Sequence, residues 1–316
     1  MAGPATITET VGTSIGSIEQ EVSRNTIQAA QKNISIPAPV RQLKPQDQAE
    51  LFTYALNGEK DQFQVKITKL IPKIDVDDAY RVTVKTVMEL KITLANKGHA
   101  EALLAGKKDE ATLYGTMSAA SAIRLSTELN DTQATAWALS DMAKQNEDIM
   151  RSRGMSDDQI AQAKLDLARA AVGYGFSTSD VLNVFGEMKG VQIPGEDKSF
   201  EFMIAQISMR HSVDIMNNLR KLSEELEGEG SAKERKKKEA QYKEMLTEYA
   251  HNNGGGLASI VDKWSKSLNE DLPPTEYGRT MLLTQSDLIA AVEAHSMQVL
   301  ALHTGRLGDV APRRVS

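Results

Sequence analysis

Apolar residues recur at spacings of three and four over most of the chain, and this period predicts α-helices that bury one face. The longest continuous stripe runs from Phe200 to Leu226. Two glycines end it, and Ser231 and Glu234 then have the spacing of a capping box, which predicts the start of a second helix. We therefore expect an antiparallel pair of helices here, with the charged residues 224–238 at its tip.

Residues 62–94 carry two conflicting patterns. Phe63, Val65 and Ile67 alternate with polar residues as in a β-strand. The apolar positions between Ala79 and Leu94 instead share one helix face, and acidic residues precede them, as is typical of a helix N-terminus. We favour a helix and keep a small β-hairpin within 62–94 as the alternative.

The pattern divides the chain into four parts. Residues 1–45 contain four prolines and no sustained apolar period, and they are interpreted as a flexible N-terminal arm. Residues 46–195 form a first helical lobe, and residues 196–305 form a second helical lobe that contains the long hairpin. Residues 306–316 form a basic C-terminal tail. The expected fold class is mainly α, with a multi-helix body that could be two-lobed.

Composition narrows the possible functions. Hydrophobic residues make up 41% of the 316 residues and aromatic residues only 5%, which favours helices packed on helices. The chain has no cysteine, which excludes disulfides and thiolate metal sites. The net charge of −6 means that nucleic acid could bind only at a local basic groove. No apolar stretch is long enough for a transmembrane helix, so we expect no membrane insertion.

The sequence contains no arrangement typical of a catalytic or metal site. Its five histidines do not pair at metal-ligand spacing. The glycine cluster at 254–256 lacks the flanking residues of a phosphate-binding loop, and acidic clusters at 75–78 and 157–158 stand where helices are predicted to start. We therefore expect a protein that is not an enzyme, with no catalytic residue, no metal, no cofactor and no small-molecule substrate.

Basic residues provide the candidates for RNA binding, because phosphates require Lys and Arg along a groove rather than a fixed motif. Charge placement selects Lys66, Lys69, Lys73, Arg81, Lys85, Arg124 and Arg210. A solvated surface is the alternative interpretation of these residues. A denser run at 233–238 is interleaved with acid and is interpreted as a solvated helix face, with an acidic partner or nucleic acid as the alternative.

Three β-branched residues of the predicted arm are candidates for oligomerisation. They are Ile34, Ile36 and Val40. Arms with scattered apolar residues often become ordered only on a partner, and here the expected partner is a neighbouring copy of the chain.

A segment near the C-terminus carries a family resemblance. Residues 288–296, with Tyr277, Gly278 and Arg279 before them and Arg306 after them, resemble the C-terminal region of helical nucleocapsid proteins of phenuivirus-type RNA viruses. They also resemble flexuous plant-virus coat proteins. The resemblance implies a two-lobed helical body, a groove that clamps the RNA backbone, and terminal arms that link neighbouring copies into a filament.

The function expected from these observations is that of a non-catalytic structural protein that self-assembles into a homo-oligomer and packages single-stranded RNA, located in the virion or the host cytoplasm. The alternative is a helical interaction protein associated with, or translocated by, a bacterial type III secretion system. Its motivation is an N-terminus with a single charge, Glu9, between Met1 and Ile18. That alternative places the protein in the bacterial cytoplasm, or outside the cell without a cleavable signal peptide.

Overall fold

The structure is a computed structural model that describes residues 7–193, 199–204, 206–208 and 210–211, with side chains from residue 17 onward. Its helices are α1 (Ile7–Gln31), α2 (Ala38–Arg41), α3 (Pro45–Asn57), α4 (Lys60–Leu70), α5 (Val76–Leu104), α6 (Lys108–Leu129), α7 (Ala134–Ser152), α8 (Asp157–Tyr174), α9 (Thr178–Val184) and the 3-10 turn Gly186–Met188. These residues contain no strand, and one isolated antiparallel bridge joins Gln192 to Ser199. The predicted mainly α fold class is therefore confirmed.

The β-hairpin alternative for residues 62–94 is wrong, because α4 and α5 occupy this region. Phe63 and Ile67 are fully buried, whereas Val65 between them is 56% exposed. Residues four apart lie on one helix face, so Phe63 and Ile67 are buried on the same side of α4 and Val65 lies on the exposed side. The apparent alternation of a strand arose because all three residues are apolar. Asp75 caps α5 as its acidic start predicted, because its side chain accepts a hydrogen bond from the backbone N–H of Asp78.

Helix α5 is the centre of the first of two compact units, residues 1–164 and 165–316. It packs against α1, α3, α4, α6 and α7. Its buried side chains run from Tyr80 and Val84 near its start to His99 near its end, and only a narrow charged stripe that includes Arg81 and Lys97 is exposed. A helix enclosed in this way has no wide polar face, which explains why its sequence pattern was difficult to interpret.

Helices α5 and α6 approach closely at Gly98. A Cβ placed on Gly98 would lie 2.5 Å from Cε1 of the Tyr114 ring, which is well inside van der Waals contact. Small residues on α6 extend this close contact, and the buried ones are Ala111, Gly115, Ser118, Ala119, Ser121 and Ala122. Glycine at position 98 is therefore a packing requirement of the α5–α6 interface.

The prediction of a flexible arm over residues 1–45 is corrected where the structure describes them. Residues 7–31 form α1, and Val22, Thr26 and Ala30 are buried along it. Val22 packs in one cluster with Ala95 of α5 and Met117 of α6. The period escaped sequence analysis because Thr26 and Ala30 occupy buried positions where large apolar residues were expected. The Thr26 hydroxyl is satisfied locally, since it donates to the Val22 carbonyl at 2.7 Å.

The second unit begins inside α8, at Leu165, rather than at the predicted boundary between residues 195 and 196. Arg169 on this half of α8 donates to the Met203 sulfur at 2.9 Å. Helix α9 starts with a capping box in which Ser177 and Asp180 exchange hydrogen bonds. Three fully buried phenylalanines belong to this unit, at positions 176, 185 and 200.

Some of the predictions concern residues that the structure does not describe. The first residues of the long stripe are helical, at 200–204, 206–208 and 210–211. The rest of the predicted hairpin, its charged tip at 224–238, the segment that carries the resemblance and the tail at 306–316 lie outside the described residues. Within the described part of the chain, no helix combines the length and hydropathy needed to cross a bilayer.

Replacing Gly98 by Ala is expected to destabilise the protein by about 1–3 kcal/mol, because the new methyl group overlaps the Tyr114 ring in a close-packed interface. Chemical denaturation measures the change. Gly173→Ala is the matched control, since no atom lies within 4 Å of the place that its Cβ would take and alanine suits a helix better than glycine. Equal effects at the two sites would contradict this account of the interface.

Candidate functional site

Lys66 lies at the contact between α3 and α4. Its Nζ is 2.9 Å from Asp47 Oδ1 and 2.7 Å from Glu50 Oε2. Tyr54 donates its hydroxyl to the other Glu50 oxygen at 2.8 Å. These hydrogen bonds raise the pKa of Lys66, with Glu50 the largest cause, and they lower the pKa of Glu50. Lys66 therefore bridges two helices and is not available to a phosphate without displacing two carboxylates.

Arg81 and Lys85 also have acidic partners. Arg81 pairs with Asp78 at 2.7 Å on the exposed surface of α5. Lys85 Nζ is 3.0 Å from Asp131 Oδ2 and 3.8 Å from Glu89. The hydrogen bond from Lys85 lowers the pKa of Asp131, and the same bond raises the pKa of Lys85. Lys85 thus connects α5 to the turn between α6 and α7.

Arg124 closes the C-terminus of α3. Its guanidinium donates to the carbonyls of Leu56 at 2.6 Å and Ala55 at 2.8 Å, which are among the last carbonyls of that helix, and the Ala55 carbonyl also accepts a long bond of 3.4 Å from the Gly58 N–H. Its Nε donates to Glu128 at 2.6 Å, and Glu128 also accepts from the Tyr80 hydroxyl at 2.7 Å. Burial and the bond to Glu128 raise the pKa of Tyr80. Arg124 is therefore a structural residue that joins α3, α5 and α6.

Five of the seven basic candidates keep exposed side chains, and two of these five, Arg81 and Lys85, form the ion pairs described above. Lys69 lies in the last turn of α4, and Lys73 lies in the connection to α5. Neither makes an ion pair with any residue that the structure describes. Arg210 is exposed in the second unit. The structure thus separates the basic set into two half-buried residues that join helices, Lys66 and Arg124, two exposed residues in ion pairs, and three exposed residues without an ion pair among the described residues.

The three oligomerisation candidates have different environments. Ile36 and Val40 are 1% and 0% exposed, because they anchor the short α2 segment inside their own chain. The Gln48 side-chain amide reinforces this anchor by donating to the backbone carbonyls of Val40, Arg41 and Leu43. Ile34 is 83% exposed, in the turn between α1 and α2. Only Ile34 of the three is therefore accessible to another molecule.

A shallow groove of about 600 Å³ runs beside α1 and is open to solvent. Its lining comprises Glu19, Gln20, Ser23, Arg24, Ile27, Gln28, Gln31 and, from α3, Ala49. Nothing in this lining brings together the groups that acid–base or nucleophilic chemistry needs. Among the described residues, no group of three His, Cys, Asp or Glu side chains could hold a metal ion.

Sequence analysis missed a buried polar seam between α5 and α7. The Asn96 amide donates to the Ala138 carbonyl at 3.0 Å and to Asp141 at 2.8 Å. One turn further along, the Asn146 amide lies 3.1 Å from His99 Nδ1. Polar residues at helical spacing indicate such a seam only when the partner helix is known, and the sequence does not identify that partner.

In comparisons with known proteins, the chain matches no protein-family model, no curated protein and no solved structure. The resemblance to nucleocapsid and coat proteins therefore stays a prediction, and the function must be argued from the geometry.

Replacing Arg124 by Lys is expected to cost about 1–3 kcal/mol of stability, because an ammonium cannot donate simultaneously to two carbonyls and a carboxylate in this fixed geometry. Urea denaturation measures the loss. Arg81→Lys is the control, and its change should stay within about 0.5 kcal/mol because its ion pair is solvent-exposed. Similar losses for both variants would refute the capping role of Arg124.

Proposed function

We propose that this protein is a non-catalytic structural protein that self-assembles and packages single-stranded RNA. The observation that carries the proposal is the way α1 attaches to the body of the first unit. A helix that docks through apolar contacts, next to an exposed turn, can dock in the same way on a second copy of the chain. Exposed lysines on the same unit provide charge for RNA phosphates.

The docked surface of α1 is mainly apolar where it meets α5 and α6. Ile18 and Val22 of α1 pack against the cluster formed with Ala95, and Leu113 of α6 packs against the same cluster. The described charged residues of α1, at positions 19, 21 and 24, make no ion pair within 4 Å of the described residues. Undocking α1 therefore breaks no close ion pair there, and docking on a neighbour would restore the same apolar contacts.

The turn at residues 32–35 provides a hinge for this exchange. It lies between docked α1 and the anchored residues Ile36 and Val40. The Asn33 side chain accepts from the backbone N–H of Ser35 at 2.8 Å, which is a local turn bond that an extended chain could give up. Ile34 is exposed at the centre of this turn. An exchanged pair of copies would bring two such turns together and could cover this isoleucine.

The proposed RNA contact is electrostatic and uses Lys69 and Lys73. Both side chains are exposed and form no ion pair with the described residues. Neither would therefore have to break an ion pair with a carboxylate in order to bind a phosphate. Lys66, Arg81, Lys85 and Arg124 are not proposed as contacts, because each already has a partner in the fold.

Exchange of α1 predicts a specific crosslink between copies. The natural chain has no cysteine, so introduced thiols are unique. Ile18→Cys on one tagged copy and Leu113→Cys on a differently tagged copy should be joined by a short bismaleimide after co-expression, because both residues pack on one cluster. Denaturing gels with two-colour detection measure the mixed dimer.

The control uses two positions on helices that stay in the body. Leu94→Cys of α5 and Leu113→Cys of α6 pack on the same cluster, so separate copies that carry them should give no mixed dimer. A double variant with cysteines at 18 and 113 shows that the linker spans the pair within one chain. If that internal link forms and the mixed dimer does not, α1 does not exchange and this part of the proposal fails.

RNA binding should depend on the two exposed lysines. Replacing Lys69 and Lys73 together by Gln should weaken binding of a labelled single-stranded RNA and should reduce the slope of log affinity against log salt by about 1.4, at about 0.7 per phosphate contact. Fluorescence anisotropy over a range of salt concentrations measures both quantities.

The matched control removes two charges that are already paired, Arg81 and Lys85, also by Gln. This control should keep the salt slope of the natural protein. An unchanged slope in the Lys69 and Lys73 variant would remove these residues from the proposal. A purified protein that is monomeric and binds no RNA at low salt would overturn the proposed function as a whole.

A further inference from the structure

The α5–α7 seam differs in chemistry from the α1 contact of α5. That contact is made by apolar cluster residues, whereas α7 is held to α5 by side-chain amides. Gln145 adds to the seam by donating to Asp141 at 2.8 Å and to the Thr93 carbonyl at 3.4 Å. Asn96 and His99 are fully buried, and Asn146 is 5% exposed. Hydrogen bonds in such an environment are costly to lose, because water cannot replace them.

One bond in the seam depends on the protonation state of a histidine. The Asn146 amide nitrogen is 3.1 Å from His99 Nδ1 and also donates to the Met142 carbonyl at 2.7 Å. An amide NH₂ can only donate, so His99 Nδ1 acts as the acceptor and carries no proton. This arrangement therefore requires the neutral imidazole.

The same seam contains an acceptor suited to the charged imidazolium. Asn146 Oδ1 is buried and has no hydrogen-bond partner among the described residues. When Nδ1 gains a proton, two donors face each other at His99 and Asn146. Rotating the Asn146 amide by half a turn would place Oδ1 at Nδ1–H, but it would give up the bond to Met142 and set two oxygens against each other. The protonated seam is thus hydrogen-bonded differently and less well.

Other titratable groups around His99 belong to three helices. On α5, Lys97 and Glu101 form an exposed pair with each other at 3.9 Å. From α6, Tyr114 lies against Gly98 next to His99. From α7, Asp141 accepts the amides of Asn96 and Gln145, and Glu147 is held by Arg151 and Lys164. Each of these carboxylates already has a donor or a cation of its own.

We propose that the α5–α7 seam is an acid-sensitive switch, in which uptake of a proton by His99 rotates the Asn146 amide and loosens α7 from α5. The cluster that joins α1 to α5 and α6 contains no carboxylate and no imidazole, so the protonation of His99 does not act through it. The switch is independent of the proposed RNA packaging, since none of its residues belongs to the exposed lysine set.

The pH window follows from the burial of the imidazole. Burial is the largest cause and lowers the pKa of His99 from 6.5 to about 4, with a smaller opposite effect from Asn146. The loosened seam takes up the proton near pH 6.5, whereas the closed seam resists it down to about pH 4. The attachment of α7 is therefore complete above pH 6.5 and is lost progressively as the pH falls towards 4.

Trp137 on α7 provides a local readout, because it is 40% exposed and the chain has only two tryptophans. On a Trp264→Phe background, its emission should change as the pH falls from neutral to about 4. Hydrogen exchange measured by mass spectrometry should rise in α7 before it rises in α3. His99→Gln, which cannot take up the proton, should remove both changes.

Two further variants make the test decisive. Asn146→Asp should move the transition to higher pH, because a carboxylate at this site accepts from the imidazolium and favours it. His211→Gln, the same substitution at the other described histidine, should leave the transition in place. A transition that survives in His99→Gln, or that does not move in Asn146→Asp, would overturn the proposal. Exchange that rises equally in α3 and α7 would also overturn it, because it would indicate global unfolding.

Discussion

The first unit depends on one constraint, which is that α5 packs against five other helices and keeps only a narrow charged stripe, at residues such as Arg81 and Lys97, exposed to water. Each neighbour must then satisfy a different part of the same helix. Apolar side chains of α1 and α6 cover one part of it, and amides of α7 cover another. Burial on this scale costs little for valine or alanine but requires a partner for each polar group, which is why Asn96 and His99 meet donors and acceptors from α7.

Several charged side chains of this protein stabilise the fold by connecting its elements. Lys66, Lys85 and Arg124 each connect elements that are distant in the sequence, with partners 16, 46 and 68 residues away. Individual exposed ion pairs contribute little, but a guanidinium that completes a helix end replaces hydrogen bonds that water would otherwise have to supply. The density of basic residues along a sequence is therefore a poor guide to the charge that remains for a ligand.

The sequence was sufficient for the helices that have clear local signals. The acidic clusters at 75–78 and 157–158 stand at the starts of α5 and α8, as predicted. Local signals were not sufficient where the burial of a residue depends on contacts with helices that are distant in the sequence. Phe63 and Ile67 were consistent with a strand until α4 fixed their common face, and buried Thr26 concealed the period of α1. The role of Arg124 could not be predicted, because the carbonyls that it caps belong to another helix.

The contact of Gly98 with the Tyr114 ring also fixes how far α5 can slide along α6. A slide by one helical turn in either direction would bring Leu94 or Ala102, which lie four residues away on the same face, beneath the ring, where there is no room for a Cβ. The contact between the ring and the glycine thus fixes the register of these two helices. The α7 seam can loosen without disturbing this alignment, so the two sides of α5 differ in rigidity: one is locked by shape, and the other is held by hydrogen bonds that can be rearranged.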